Sequence, residues 1–257
     1  MFRKRLFATI IGAWIPVLLV FLWWKLSENS TNPYFPPLSS IWSRFQEIWL
    51  SDQFGIHVVP SLRNLVIGYS IAVVLGVGLG VVIGGTKGLS RYVEPFIDFQ
   101  RSIPPVALVP VFIVIFGLDA QMRIASIAFA TVLPIIIATI QAVRVTDSYL
   151  IDTATAFRLK RGQILWKVRL PAGLPLIFSG LQVGLQIAFV VTIASEYLGA
   201  GFGIGAFTLI AADSFLILDA WTGVLLMGLL GYLIYLIFDV VERLSLRWYI
   251  GQKKLSQ

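Results

Sequence analysis

The chain has 257 residues, of which 58% are hydrophobic and only 13% charged, with a formal net charge of +7 and no cysteine. Globular domains carry about 25% charged residues, so this composition argues against a soluble enzyme or binding domain. The missing cysteines exclude disulfides, thiolate metal sites and cysteine nucleophiles.

Apolar runs of about twenty residues recur along the chain, each long enough to cross a hydrocarbon core of about 30 Å as a helix. They are too long and too continuously apolar for barrel strands. The reading is an all-α polytopic membrane protein forming one transmembrane domain over 1–257, with six spans near 6–26, 58–85, 93–117, 122–143, 172–198 and 216–240. Met1 to Arg5 has the basic character of a signal-peptide start. The run after it is long, carries Trp23 and Trp24 at its far end and lacks a small-x-small cleavage site, so it is read as a retained first helix.

In chain order, Pro33-Tyr-Phe-Pro-Pro37 is followed by an amphipathic segment, 38–52. Ile41, Trp42, Phe45, Ile48 and Trp49 share one face at helical spacing, with Arg44 and Glu47 opposite. It is too short to span and is expected to lie on the outer membrane surface, as an anchor or as a docking surface. His57 is the single histidine and has no acid cluster near it, so no metal or catalytic role is expected. Gly76, Gly80 and Gly84 make overlapping small-xxx-small repeats, the pattern of close helix packing. Pro104, Pro105 and Pro110 imply a broken or kinked third span, and Pro134 a bend in the fourth. In the fifth, Gly180, Gly184, Ala188 and Thr192 form a small-residue stripe that Glu196 continues, with Gln182 and Gln186 beside it. Polar groups at membrane depth face protein or water. Gln182, Gln186, Thr192 and Glu196 are therefore candidate translocation-pathway residues, with a structural bond to a neighbouring helix left open for Glu196.

The cations divide unevenly about these spans. With the N-terminus inside, fifteen fall on the inner side: Arg3, Lys4, Arg5, Lys87, Arg91, Arg144, Arg158, Lys160, Arg161, Lys167, Arg169, Arg243, Arg247, Lys253 and Lys254. Lys25, Arg44, Arg63 and Arg123 fall outside, and Arg101 lies near the inner end of the third span. The positive-inside rule then places both termini in the cytoplasm, and the basic balance reads as topology rather than as nucleic-acid binding.

The connection between the fourth and fifth spans, 146–171, is longer and more basic than a simple loop requires. Thr146-Asp147-Ser148 is a helix N-cap candidate. A short helix from Tyr149 to Arg158 is predicted to break at Gly162, with a second from Gln163 to Arg169 ended by Leu170-Pro171 before the fifth span. Phe157, rimmed by cations, suits a protein contact. Anionic lipid headgroups would account for the charges but not for the paired-helix layout.

Asp152-Thr153-Ala154, Ile164 and Leu170-Pro171 stand in the register of the E-A-A, isoleucine and L-P positions of the "EAA" loop, which resembles that of binding-protein-dependent ABC importers. At the family's glycine position this chain has Arg158, and the nearest glycine is Gly162. Arg101-Ser-Ile-Pro-Pro-Val-Ala-Leu-Val-Pro110, Phe116-Gly117, Phe35-Pro36-Pro37-Leu38-Ser39, Ser61-Leu62-Arg63 and Glu196 with Gly201-Phe202-Gly203-Ile204-Gly205 are similar to the nitrate/sulfonate/taurine/bicarbonate group. The likeness covers nearly the whole chain.

The resemblance implies a type I importer permease of MetI-like fold in the bacterial inner membrane. It pairs with a second copy, two cytoplasmic ATPase subunits holding ATP and Mg, and an external solute-binding protein. Asp152, Thr153, Ala154, Phe157, Arg158, Gly162, Ile164, Leu170 and Pro171 would then form the ATPase-coupling segment. No G-x-x-x-x-G-K-[ST] phosphate loop is present, and no catalytic residues, cofactor or metal are expected in this chain. The alternative from composition is a stand-alone channel or ion-coupled carrier, for which intramembrane ionisable groups and inverted repeats are the usual signs.

Overall fold

The structure, a computed structural model, describes residues 2–86, 88–199, 201–249 and 251, without the side chains of 2–13 and 16. Lys87, Lys253 and Lys254, and the side chains of Arg3, Lys4 and Arg5, which entered the charge asymmetry, lie outside the described residues.

Every regular element among the described residues is helical. The elements are α1 (Phe2–Ser27), α2 (Leu38–Trp49), α3 (Val59–Gly85, entered through a π-helical turn Phe54–Val58) and α4 (Leu89–Arg101). A 3₁₀ turn Pro105–Leu108 leads into α5 (Val109–Phe116), followed by α6 (Ala120–Arg144), α7 (Ser148–Ala156) and α8 (Arg161–Ile164). A π-helical turn Leu165–Arg169 then joins α9 (Leu170–Tyr197), and α10 (Ile204–Asp213) and α11 (Ile217–Ser245) complete the order.

Four continuous stretches among the described residues are long and apolar enough to cross a membrane: Phe54–Gly85, Ala120–Arg144, Arg161–Tyr197 and Ile217–Ser245. Of the first predicted span, Val17–Ser27 is the part counted, a short apolar helix. The third predicted span is broken where its prolines implied a break. Leu89–Arg101 and Pro105–Phe116 are bent by 83° at the break between them. Pro104 is extended there, with ψ near 125°, as the following Pro105 favours in the residue before it. Among the described residues, four spans, or five with the bent pair, are long and apolar enough to cross, where six were predicted over the chain.

Small residues place α6 between α3 and α9. A Cβ built on Gly68, Gly76, Gly80 or Gly84 would meet Ile127, Ile135, Thr139 or Val143 respectively, within 2.5–3.1 Å. The offset is 59 residues in every pair, so α3 and α6 run parallel and in register, with Ala72 and Thr131 both buried in the skipped layer. On the other face of α6, Gly173 meets Ala142, Gly180 meets Ala138, and Gly184 meets Ile135 and Thr131, so α9 runs antiparallel. Lipid is as apolar as leucine, so backbone approach along glycine stripes is what brings these helices together. Pro134 sits inside α6, which runs without a break from Ala120 to Arg144.

The amphipathic helix α2 is fixed more firmly than a surface anchor. Ile48 and Trp49 are buried in a cluster with Val58, Ile204, Leu226 and Leu230. Arg44, predicted to face away, instead donates Nε and Nη2 to the Asp219 carboxylate at the start of α11, at 2.6 and 3.1 Å. Those hydrogen bonds, with a further one to Glu47, raise its pKa above the ordinary arginine value and keep it charged. Trp23, Phe35 and Trp221 form an aromatic cluster nearby, and Trp221 Nε1 donates to the Tyr34 carbonyl at 3.1 Å. Aromatic side chains with one polar end suit the boundary between lipid and water.

Candidate functional site

The corner between α6 and α9 is built by two caps. Asp147 caps α7 by accepting the Tyr149 amide at 3.0 Å. At the other end Leu159 N–H bonds the Ala154 carbonyl at 3.1 Å and Arg158 N–H bonds the Thr155 carbonyl at 2.8 Å. This pair of bonds is a Schellman motif, which needs a left-handed residue at its turn, and Arg158 takes that role with φ 57°. The turn therefore lies at Arg158, the position glycine holds in the resembled pattern. Gly162, predicted to be the breaker, is inside α8, which begins at Arg161.

The second predicted helix does not stop at Leu170-Pro171. Arg161 to Tyr197 is one continuous helix of 37 residues. Pro171 has no amide to place, and the wider π turn just before it lets Leu170 N–H reach the Leu165 carbonyl, so the proline enters without ending the helix.

Of the coupling residues, Ala154 is buried, Ile164, Leu170 and Pro171 are half-buried, and Asp152, Thr153, Arg158 and Gly162 are exposed. Phe157 is 78% exposed. Tyr149, Trp166 and Val145 are also exposed on this corner, and sequence reading did not single them out. An aromatic that spacing alone would place on the apolar side of a helix becomes notable only once nothing is found to cover it. Two crevices flank the corner. One, of about 920 Å³, lies between α7, the start of α9 and Trp248 and Tyr249. The other, of about 910 Å³, is lined by the α3–α4 turn with Arg144, Arg161 and Arg169. Arg144 also bonds Ser90 and Glu94 of α4, which ties α4 to the end of α6 where the corner begins.

At the other end of α9 the candidate pathway residues separate. Glu196 is buried, as is Thr192, whose hydroxyl donates to the Ala188 carbonyl at 2.8 Å. Ser61 Oγ lies 2.5 Å from Glu196 Oε1, and Gly205 N–H donates to Glu196 Oε2 at 2.8 Å. Ile204 N–H donates to Ser61 Oγ at 3.1 Å, and Gly203 N–H to His57 Nδ1 at 3.2 Å. Three successive amides where α10 begins, which no helix carbonyl can satisfy, are thus each met by a side chain from another element. Gly203 has φ 125°, and any side chain there would strike the Glu196 carboxyl.

His57 and Ser61 stand one helical turn apart, and Glu196 precedes Gly205 by nine residues; these spacings are the local traces of this cap in the sequence. Arg123, buried at the start of α6, holds its guanidinium carbon 4.9 Å from the Phe202 ring. Its Nε and Nη1 find no partner among the described residues.

Gln182 and Gln186 line a crevice of about 280 Å³ between α9 and α11, with Phe189, Gly231 and Tyr235. A larger cavity, about 460 Å³, opens between the α4–α5 break, α6 and α9. None of the four pathway candidates lines it. Its polar contributors are Gln100, Arg101, Gln141 and Ser179. Apolar walls with a few convergent polar groups, in a volume within the roughly 300–1,000 Å³ of small-molecule sites, give it the form of a binding space.

Residues 72–250 match the family described as binding-protein-dependent transport system inner membrane component. The chain is similar to the bicarbonate transport system permease protein CmpB of Synechococcus elongatus, with 32% identity over 236 residues, 87% of this chain and 85% of that one. It is also similar to the taurine transport system permease protein TauC of Escherichia coli, with 25% identity over 90% of this chain and 87% of that one. Its fold is similar to that of a chain in inward-facing structures of the MetNI methionine ABC transporter, with TM-score 0.65 and 24% identity, covering 74% of this chain and 94% of that one.

Proposed function

The chain belongs to the family of binding-protein-dependent transport system inner membrane components, and from that premise we propose how this ABC importer permease is assembled and driven. The whole chain acts as one transmembrane unit with both termini in the cytoplasm. Two copies pair around the pathway, two ATPase subunits carrying ATP and Mg dock on the corner at 146–171, and an external binding protein delivers solute from the far side. The solute is a small anion of the sulfonate, taurine, nitrate or bicarbonate kind, by likeness to the bicarbonate and taurine permeases above and to the group that the sequence motifs resemble.

The observation that carries the motor contact is Phe157, 78% exposed at the tip of a reversal made by Arg158. An exposed aromatic on a rigid, capped turn has the form of an interface anchor. Asp152, Thr153 and Arg158 flank it on the exposed surface, while Ala154, Ile164, Leu170 and Pro171 hold the corner to the bundle. Gln182 and Gln186 are proposed to face the pathway. For Thr192 and Glu196 the buried hydrogen bonds favour a packing role.

The test is co-purification and uptake. Phe157→Asp alters a side chain that supports nothing within the chain, so folding should persist. Loss of a central aromatic anchor costs about 2 kcal/mol or more, near thirty-fold in affinity. The ATPase subunit should wash off and ATP-dependent uptake in vesicles should fall with it. A Phe157→Asp complex that stays intact and transports normally would remove the corner as the motor contact.

A further inference from the structure

The cavity between the α4–α5 break, α6 and α9 has one charged residue among its described lining residues, Arg101. Arg101 is the last residue of α4, at the 83° bend. Its nearest acid is Asp98, 3.6 Å away, with both side chains mostly exposed, a pairing too weak to neutralise it.

The polar groups are not scattered. Gln100 and Arg101 close α4, Gln141 lies three residues from the end of α6, and Ser179 is in the first third of α9, which runs against α6. The walls beyond them are Leu108, Phe129, Leu133, Val183 and Ile187. From Gln141 back to Phe129 is twelve residues, about 18 Å of helix. The space is therefore a slot with one cationic, hydrogen-bonding end and a long apolar end.

Size narrows the occupant. A four-atom oxyanion displaces about two waters, roughly 60 Å³. It would leave most of the 460 Å³ unfilled and facing apolar walls.

We infer that this cavity binds an anion with an apolar body, its head on Arg101 with Gln100, Gln141 and Ser179 and its body along Phe129 and Leu133; the inference rests on the importer reading above. Arg101 is the specificity-determining counter-ion.

The test uses the permease with its ATPase subunits in nanodiscs and radiolabelled 1-hexanesulfonate as probe, against empty nanodiscs as blank. Saturable binding is expected. Each methylene removed, from hexane- to butane- to ethanesulfonate, should weaken it by about fourfold. Nitrate should compete only at far higher concentration, and 1-hexanol, which lacks the charge, should compete poorly. Arg101→Gln should weaken hexanesulfonate by about ten- to a hundred-fold, the loss of a charge-assisted hydrogen bond. Arg101→Lys should recover most of it. Retained ATPase subunits and an unchanged melting temperature show that each variant is folded.

Equal binding by the Arg101→Gln complex overturns the inference, as does nitrate competing as well as hexanesulfonate, or the absence of saturable binding. ATP dependence of uptake by the complete unmodified complex is measured in parallel. Uptake without ATP dependence defeats the importer reading instead, whatever the binding data show.

Discussion

Replacing Glu196 separates a structural acid from a pathway acid. Its carboxylate meets the Ser61 hydroxyl at 2.5 Å and the Gly205 amide at 2.8 Å, with the side chain buried. Glu196→Ala orphans a buried amide and a buried hydroxyl and opens a void, each at about 1–3 kcal/mol. Ser61 can turn its proton to the His57 carbonyl 2.9 Å away, which offsets part of this. The expected loss is about 3–4 kcal/mol.

Glu196→Gln keeps the shape. Its carbonyl oxygen can accept from Gly205 while its amide donates to Ser61 Oγ, whose own proton moves to the His57 carbonyl. The loss should then be about 1 kcal/mol, the difference between a charged and a neutral hydrogen bond. A chain of this size shifts its melting point by about 2–4 °C per kcal/mol. In detergent, Glu196→Ala should melt about 6–16 °C lower than the parent and Glu196→Gln about 2–4 °C lower. Thermal unfolding followed by tryptophan fluorescence reads both. If Glu196→Ala melts with the parent while uptake collapses, the cap argument is wrong and the acid serves transport.

Other perturbations follow from the same geometry. Arg158→Gly should stabilise the corner by about 0.5–1 kcal/mol, because a left-handed residue with a side chain carries strain that glycine lacks; slower proteolysis between α7 and α8 is the readout. Gly80→Ala puts a methyl 2.5 Å from Thr139 Cβ and should cost about 1–3 kcal/mol, seen as a lower melting point, with Gly78→Ala, which meets open space, as the unaffected control. Arg44→Ala leaves Asp219 mostly buried without its partner and should cost about 1–2 kcal/mol, less than a fully buried pair because Arg44 is 40% exposed. Faster hydrogen exchange in α2 is the measurement, and an unchanged exchange rate would mean that the apolar contacts alone hold this helix.

What local physics controls could be read from local signals. Apolar runs gave the membrane class and the fourth span within two residues at each end, while the fifth span begins eleven residues earlier than its apolar run. Glycine spacing in α3 and α9 marked the faces that pack, Asp147 marked the start of α7, and the prolines after Arg101 marked a break. The break in the third span was therefore legible, but its size was not: hydropathy averages over α4 and α5 together, and only the tertiary structure gives the 83° bend at the extended Pro104.

What sequence could not supply was which face meets which partner. The 59-residue register that places α6 between α3 and α9 depends on pairs far apart in the chain, and lipid, being as apolar as a leucine side chain, leaves no hydropathy difference between a packed face and an exposed one. The reversal at Arg158 was obscured because Gly162 was the residue whose conformational freedom stood out, whereas the Schellman bonds impose the left-handed turn on whatever side chain lies there. Glu196 could be read locally as an acid at membrane depth; only the tertiary fold, by bringing Ser61 and Gly205 to it from 135 and nine residues away, made it a helix cap.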